Sequence, residues 1–139
     1  MLGENLAFPP TLKMKCDSVL NDFASSENHL SFLSLSTADG YSLSHSDPAH
    51  VELNFRRISA MASSFAGISK ELARETHHPA MEGSIIECQT GFLVCRLLKT
   101  EHLDAVLLGV FNNESNHGIA LWTLNNIAKS ITDMLNVYK

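Results

Sequence analysis

Histidines and cysteines are the residues of this sequence most able to do chemistry, and their spacing argues against it. His77 and His78 are adjacent near the end of a helical stretch. Neighbouring side chains there point in different directions and rarely hold one metal ion. Cys88 and Cys95 flank a turn at Thr90-Gly91, so on a hairpin they lie diagonally on one face, near enough to meet. Two thiolates and a histidine can hold zinc. The same face carries Ile86, Leu93 and Leu97, however, and apolar packing accounts for it without a metal. With Cys16 the count is three. An odd number without a CxxC pair is no disulfide framework, so free, mostly buried thiols in a reducing compartment are expected.

Other catalytic patterns are missing. There is no GxSxG elbow, and the seven glycines form neither GxGxxG nor GxxxxGK[ST]. Asp47, Glu52 and Glu114 have no second carboxylate at an acid–base spacing. Arg56-Arg57 and Lys13 with Lys15 read as solvated helix faces. The sequence therefore predicts no catalytic residue, no cofactor and no metal.

Composition narrows the classes further. The 139 residues carry 10 Lys and Arg against 15 Asp and Glu, a net charge of −5, the wrong sign for a protein that coats nucleic acid. Hydrophobic residues make up 45%, too apolar for disorder and right for one globular domain. A single domain over residues 1–139 is expected, its core at about 11–137 and its first ten residues flexible. No run approaches the roughly 18 apolar residues of a membrane span, so no membrane insertion is expected. The N-terminus lacks the pattern of a secretory signal, and a cytoplasmic address follows. Charged residues are only 18%, against about 25% in an average domain.

The elements that would position any site read as follows. Thr11 offers an N-cap to a helix whose apolar residues Cys16, Val19, Leu20 and Phe23 recur at helical spacing. Leu30 to Ser36 alternates, with Leu33 and Leu35 on one face and Phe32, Ser34 and Ser36 on the other. Asp39-Gly40 is a hairpin signal; as a two-residue turn it places Leu43 opposite Ser36 and Tyr41 opposite Ala38. A long helix is expected from about His50 to Thr76. Met81 to Gln89 and Phe92 to Leu98 form a second hairpin. Leu103 to Phe111 is continuously apolar and belongs in the middle of the sheet. A closing helix runs from about Gly118 to Val137. The order predicts an α+β fold, α-β-β-α-β-β-β-α, with a five-stranded antiparallel sheet covered by helices on both faces.

The informative feature is in the long helix. Ile58, Met61, Phe65, Ile68 and Leu72 are spaced 3, 4, 3 and 4, a stripe of coiled-coil type. Small residues, Ala60, Ala62, Ser63, Ser64, Ala66 and Gly67, lie beside it. Two readings stand: the stripe is core within the chain, or part of it pairs with a second chain. Ile58 to Ser69 contains no charged residue, whereas a solvated helix carries charge on its outer side. This favours a helix covered from both sides.

The segments LSLSTADGYSLSH, RISAMASSFAGISKELARE, GSIIECQTGFLVCRLL and LDAVLLGVFNNESNHGIALWTLNNIAKSI, in this order and spacing, resemble the Roadblock/LC7 family of dynein light chains and small-GTPase regulators, and a bacterial member in particular. The likeness spans about residues 11 to 137. His77, His78 and Pro79 replace a more Gly-rich linker, and the loop Lys99 to His102 is polar. The resemblance implies a profilin-like fold and a homodimer in which third strands pair edge to edge and second helices pack together. The interface would then include Ile58, Met61, Phe65, Ile68 and Leu72 of the helix and Ser84, Ile86 and Cys88 of the strand. It further implies a non-enzymatic regulator or scaffold acting on a Ras-like small GTPase, with no role for Arg56, Arg57 or Arg74 as an inserted arginine. The alternatives are a general interaction adaptor and a small-ligand sensory module, for which Ser34, Ser36 and Tyr41 are the candidate pocket residues.

Overall fold

The computed structural model describes residues 9–137. The expected flexibility of residues 1–10 therefore falls, for residues 1–8, outside the described residues. Helix α1 spans Pro10–Ser26 and β1 Leu30–Thr37, followed by β2 at Ser42–Ser46 and helix α2 at Phe55–Glu75. Strands β3 (Gly83–Cys88), β4 (Gly91–Lys99) and β5 (Asp104–Asn112) lead into helix α3 at His117–Val137. The strands form one antiparallel sheet in the order β2-β1-β5-β4-β3. This is the predicted α-β-β-α-β-β-β-α order, with the apolar β5 in the centre.

The alternation in β1 divides the molecule. Leu33 and Leu35 point to the layer formed by α1 and α3, where they join Leu20, Leu107, Leu124 and Ile131 in a sealed core. Ser34 and Ser36 point to the other face, under α2. Helix α1 is tied to the edge strand β2 by two polar contacts: Ser44 Oγ donates to Asp17, and Ser46 Oγ donates to Asn21 Oδ1 at 2.7 Å.

Several local expectations are corrected. Pro9, not Thr11, occupies the N-cap of α1, and Pro10 opens the helix; proline suits a first-turn position because its missing N–H has no helical acceptor there. The first hairpin closes through three residues instead of two. Gly40 N–H donates to Thr37 O at 3.0 Å, and Thr37 N–H to Tyr41 O at 2.9 Å. Gly40, with φ +103, takes the left-handed position that such loops require. Ser36 consequently pairs with Ser42 and Leu35 with Ser44, leaving Leu43 as an irregularity in the ladder. In the second hairpin Cys88 pairs with Gly91, so the turn is Gln89-Thr90. Ile86 faces Leu93 in that register and Ser84 faces Cys95. The shift equals one full pleat, so the predicted faces survive.

The long helix begins at Phe55 instead of His50. Asp47 explains the delay: its carboxylate accepts from Val51 N–H at 3.1 Å and Glu52 N–H at 2.9 Å. His50 and Glu52 adopt positive φ, incompatible with a right-handed helix. Asn54 then caps α2, its Oδ1 accepting from Arg57 N–H at 3.1 Å.

Candidate interaction surface

The side of α2 that meets the sheet is built from Ser59, Ala62, Ser63 and Ala66, all buried. Small side chains let the helix sit close. Polar groups that this burial would strand are paired across the layers. Ser34 and Ser59 hydroxyls lie 3.2 Å apart and Ser36 and Ser63 hydroxyls 3.3 Å, and Ser63 Oγ also donates to Thr37 O at 2.8 Å. The first turn is pinned by an aromatic stack. The His45 ring lies 4.0 Å from Phe55 and nearly parallel to it, and the Phe32 ring lies 6.2 Å from that of His45.

This arrangement decides where the predicted seam goes. Ile58 and Phe65 are half-buried and pack against the small cluster that contains Ala62, Ala66, Cys95, Val106 and Leu108. Met61, Ile68 and Leu72 are turned outward, 62%, 68% and 64% exposed. The stripe is therefore not wholly core: two residues face in and three face water.

The remaining predicted residues lie on β3, an edge strand of the sheet. Its inner side pairs with β4 from Gly83↔Arg96 to Cys88↔Gly91 without interruption. The outer side has no strand partner among the described residues. Ser84 is half-buried, Ile86 is 37% exposed and Cys88 is exposed. A groove of about 370 Å³ runs between α2 and β3, with Leu72 and Ala73 on one wall and Met81, Gly83 and Ser84 on the other. The helix seam and the strand edge, 12 residues or more apart in sequence, thus adjoin. Sequence reasoning missed Ile85, equally exposed on the same strand, and the groove residues Ser69 and Met81. Ile85 faces the α1–α3 side of the sheet, opposite Val94, and so lies across the strand from the α2 seam.

The residues considered for chemistry are not gathered. Cys88 and Cys95 are separated by the corrected register: Cys95 faces Ser84 and Cys88 faces Gly91 at the strand end. Their side chains do not meet, contrary to the expectation. Burial pushes the Cys95 thiol up to about 11. The Cys16 thiol is pushed up to about 12, chiefly by burial and then by the nearby Asp17 carboxylate. Both stay protonated at neutral pH and are poor nucleophiles. Among the described residues no three His, Cys, Asp or Glu side chains group to hold a metal. The residues that the small-ligand alternative would need are not gathered into a pocket: Ser34 and Ser36 are hydrogen-bonded to α2 and Tyr41 is exposed. A cleft of about 130 Å³ opens instead beside Gly67, between Lys70, Leu97 and Ala105, well below the roughly 300–1,000 Å³ of ordinary ligand sites. No helix among the described residues is long and apolar enough to cross a membrane.

No family model matches the chain, and no curated protein does. Solved structures match closely in shape. MglB of Myxococcus xanthus is 14% identical with a TM-score of 0.78, the alignment covering 91% of this chain and 93% of that one. The gliding protein MglB of Thermus thermophilus is 12% identical with a TM-score of 0.79, covering 94% and 95%. A Roadblock/LC7 domain from Streptomyces avermitilis is 16% identical with a TM-score of 0.72, covering 86% and 96%. The chain has the Roadblock/LC7 fold over nearly its whole length.

Proposed function

From that fold and the surface above, we propose that the chain is a homodimeric regulator or scaffold without chemistry of its own, acting on a Ras-like small GTPase. One observation carries the proposal: the apolar seam of α2 and the unpaired edge of β3 form a continuous exposed surface. Met61, Ile68 and Leu72 on the helix, and Ile86 on the α2 side of the strand, are large exposed apolar residues. Contiguous apolar patches of this kind mark association sites. A flat edge strand is a further reason to pair, since its free N–H and C=O groups are a template for another strand. A second copy supplies both coverings at once, because a twofold axis brings each surface onto itself.

The GTPase part of the proposal rests on the resemblance in sequence and on the shared fold. Its docking surface is placed on the solvent-facing positions of the paired helices.

Two measurements test the reading in turn. Light scattering at micromolar concentration is expected to give a dimer, and Ile68→Asp a folded monomer, since the charge would be buried only in the pair. A monomeric wild type would overturn the dimer. Pull-down from the source cell, with GTP hydrolysis measured on what is captured, is expected to return a P-loop GTPase whose hydrolysis rate changes on binding. Recovery of no GTPase would overturn the second part.

A further inference from the structure

The charges at the two ends of α2 run against the helix. A helix N-terminus favours acidic side chains and a C-terminus basic ones. Helix α2 has no acidic residue in its first turn, which instead holds Arg56 and Arg57, and its last residue is Glu75. Local partners answer for most of the other charges. Arg56 lies 5.5 Å over the Phe55 ring, and Arg74 in the last turn bonds Glu71 at 3.1 Å. The side chains of Arg57 and Glu75 are exposed and have no such partner among the described residues.

Arg57 and Glu75 are also collinear. They are 18 residues apart, which is five turns at 3.6 residues per turn, so they stand on one line of the helix surface. That line borders Met61 and Ile68, two of the three exposed members of the seam. The seam is itself nearly symmetric about Phe65, with Ile58 and Leu72 each seven positions away.

We propose that Arg57 and Glu75 are complementary rim charges that select a second copy of this chain, with its α2 running antiparallel. This rests on the dimer reading above, whose twofold edge pairing already sets the helices antiparallel, and adds to it a selecting pair. About a twofold axis near Phe65, Arg57 falls roughly 3 Å along the axis from Glu75 of the second copy, within reach of its long side chain. Both ends of the interface gain the same pair. Each charge that opposes its own helix dipole then lies beside the favourable end of the neighbouring one. A parallel arrangement would place Arg57 against Arg57 and Glu75 against Glu75.

The test is a charge-reversal cycle on the full chain, with dimer dissociation followed by sedimentation in a dilution series. Arg57→Glu and Glu75→Arg alone are expected to weaken the dimer about tenfold each, since each reversal acts twice in a symmetric pair. The double variant is expected to return to within about threefold of wild type, and the effect to shrink in high salt. In the monomer the sign should be opposite: each single variant melts at or above the wild-type temperature at dilutions where no dimer remains, because its helix charges now follow the dipole. Single variants that dimerise like wild type, or a double variant that does not recover, would overturn the pairing while leaving the dimer in place. A monomeric wild type would overturn the dimer reading and this inference with it.

Discussion

The two faces of the sheet are finished differently. Against α1 and α3 the sheet presents Leu33, Leu35, Val94, Leu107 and Phe111, and the helices answer with Leu20, Leu124, Ile127, Ile131 and Leu135, all inaccessible or nearly so. Against α2 it presents serines, Cys95, Val106 and Leu108, and the helix answers with alanine and serine. The first layer is closed by large interlocking side chains. The second holds its helix close with small residues and hydroxyl pairs, and it leaves Met61, Ile68 and Leu72 of that helix outside. One face is sealed within the chain, and the other leaves apolar side chains of its helix in water.

Substitutions put this contrast at risk. The largest effect is expected at Leu107, fully buried at the centre of the sealed face. Leu107→Ala should lower unfolding free energy by about 2–5 kcal/mol in urea titration, at any protein concentration. Leu72→Ala, on the open face, should change the monomer's stability by less than about 0.5 kcal/mol and act only where the chain associates. Equal losses at the two sites would end the distinction.

Next comes the hydroxyl layer. Ser59→Ala leaves the buried Ser34 hydroxyl without its partner, a loss of about 1–3 kcal/mol. Removing both hydroxyls together should restore most of it, because no buried polar group is then stranded. A double variant as unstable as the single would show that the pair does more than satisfy itself.

A smaller effect, of opposite sign, is expected at Gly67. A Cβ there would meet nothing within 4 Å, so Gly67→Ala should raise stability by about 0.4–1 kcal/mol through helix propensity and chain entropy. Thermal melts of dilute protein would show it.

The smallest is a pH effect at His45. Burial lowers its pKa below the ordinary 6.5, with Lys13 adding to the shift and Asp17 and Asp47 opposing it. The folded chain therefore binds a proton less readily than the unfolded one. The contribution is fully present above about pH 6.5 and is lost as pH falls through the lower, folded value. His45→Phe, which keeps a ring against Phe55, should reduce the fall in urea midpoint between about pH 7.5 and about pH 5.5, values bracketing that range. An unchanged pH profile would remove His45 from the account.

The sealed face was legible because it obeys simple periods. Alternation in Leu30 to Ser36 and helical spacing in α1 and α3 place large apolar residues inward. The open face was half legible. The seam at Ile58 to Leu72 and the edge residues Ser84, Ile86 and Cys88 were readable as a pattern. Which of them face water depended on the unseen preference of α2 to dock through its small side. Turn registers were not legible. Asp39-Gly40 fits both a two-residue and a three-residue loop, and only the backbone bonds of Thr37 decide between them. The start of α2 was hidden because nothing in residues 50–54 disfavours helix locally. The carboxylate of Asp47, several residues upstream, claims two N–H groups there.

The irregularity at Leu43 has a consequence for sheet growth. Strand β2 has five residues, carries the misfit at Leu35/Ser36 in its ladder, and is roped to α1 by Ser44 and Ser46. Such an edge is a poor template for another strand. Strand β3, at the opposite edge, pairs regularly along its whole length. In the language of polymers the sheet is monofunctional, with one reactive end and one end capped. A unit of that kind can add once through its strands and then stop, so strand pairing yields a closed pair and gives no route to a fibre.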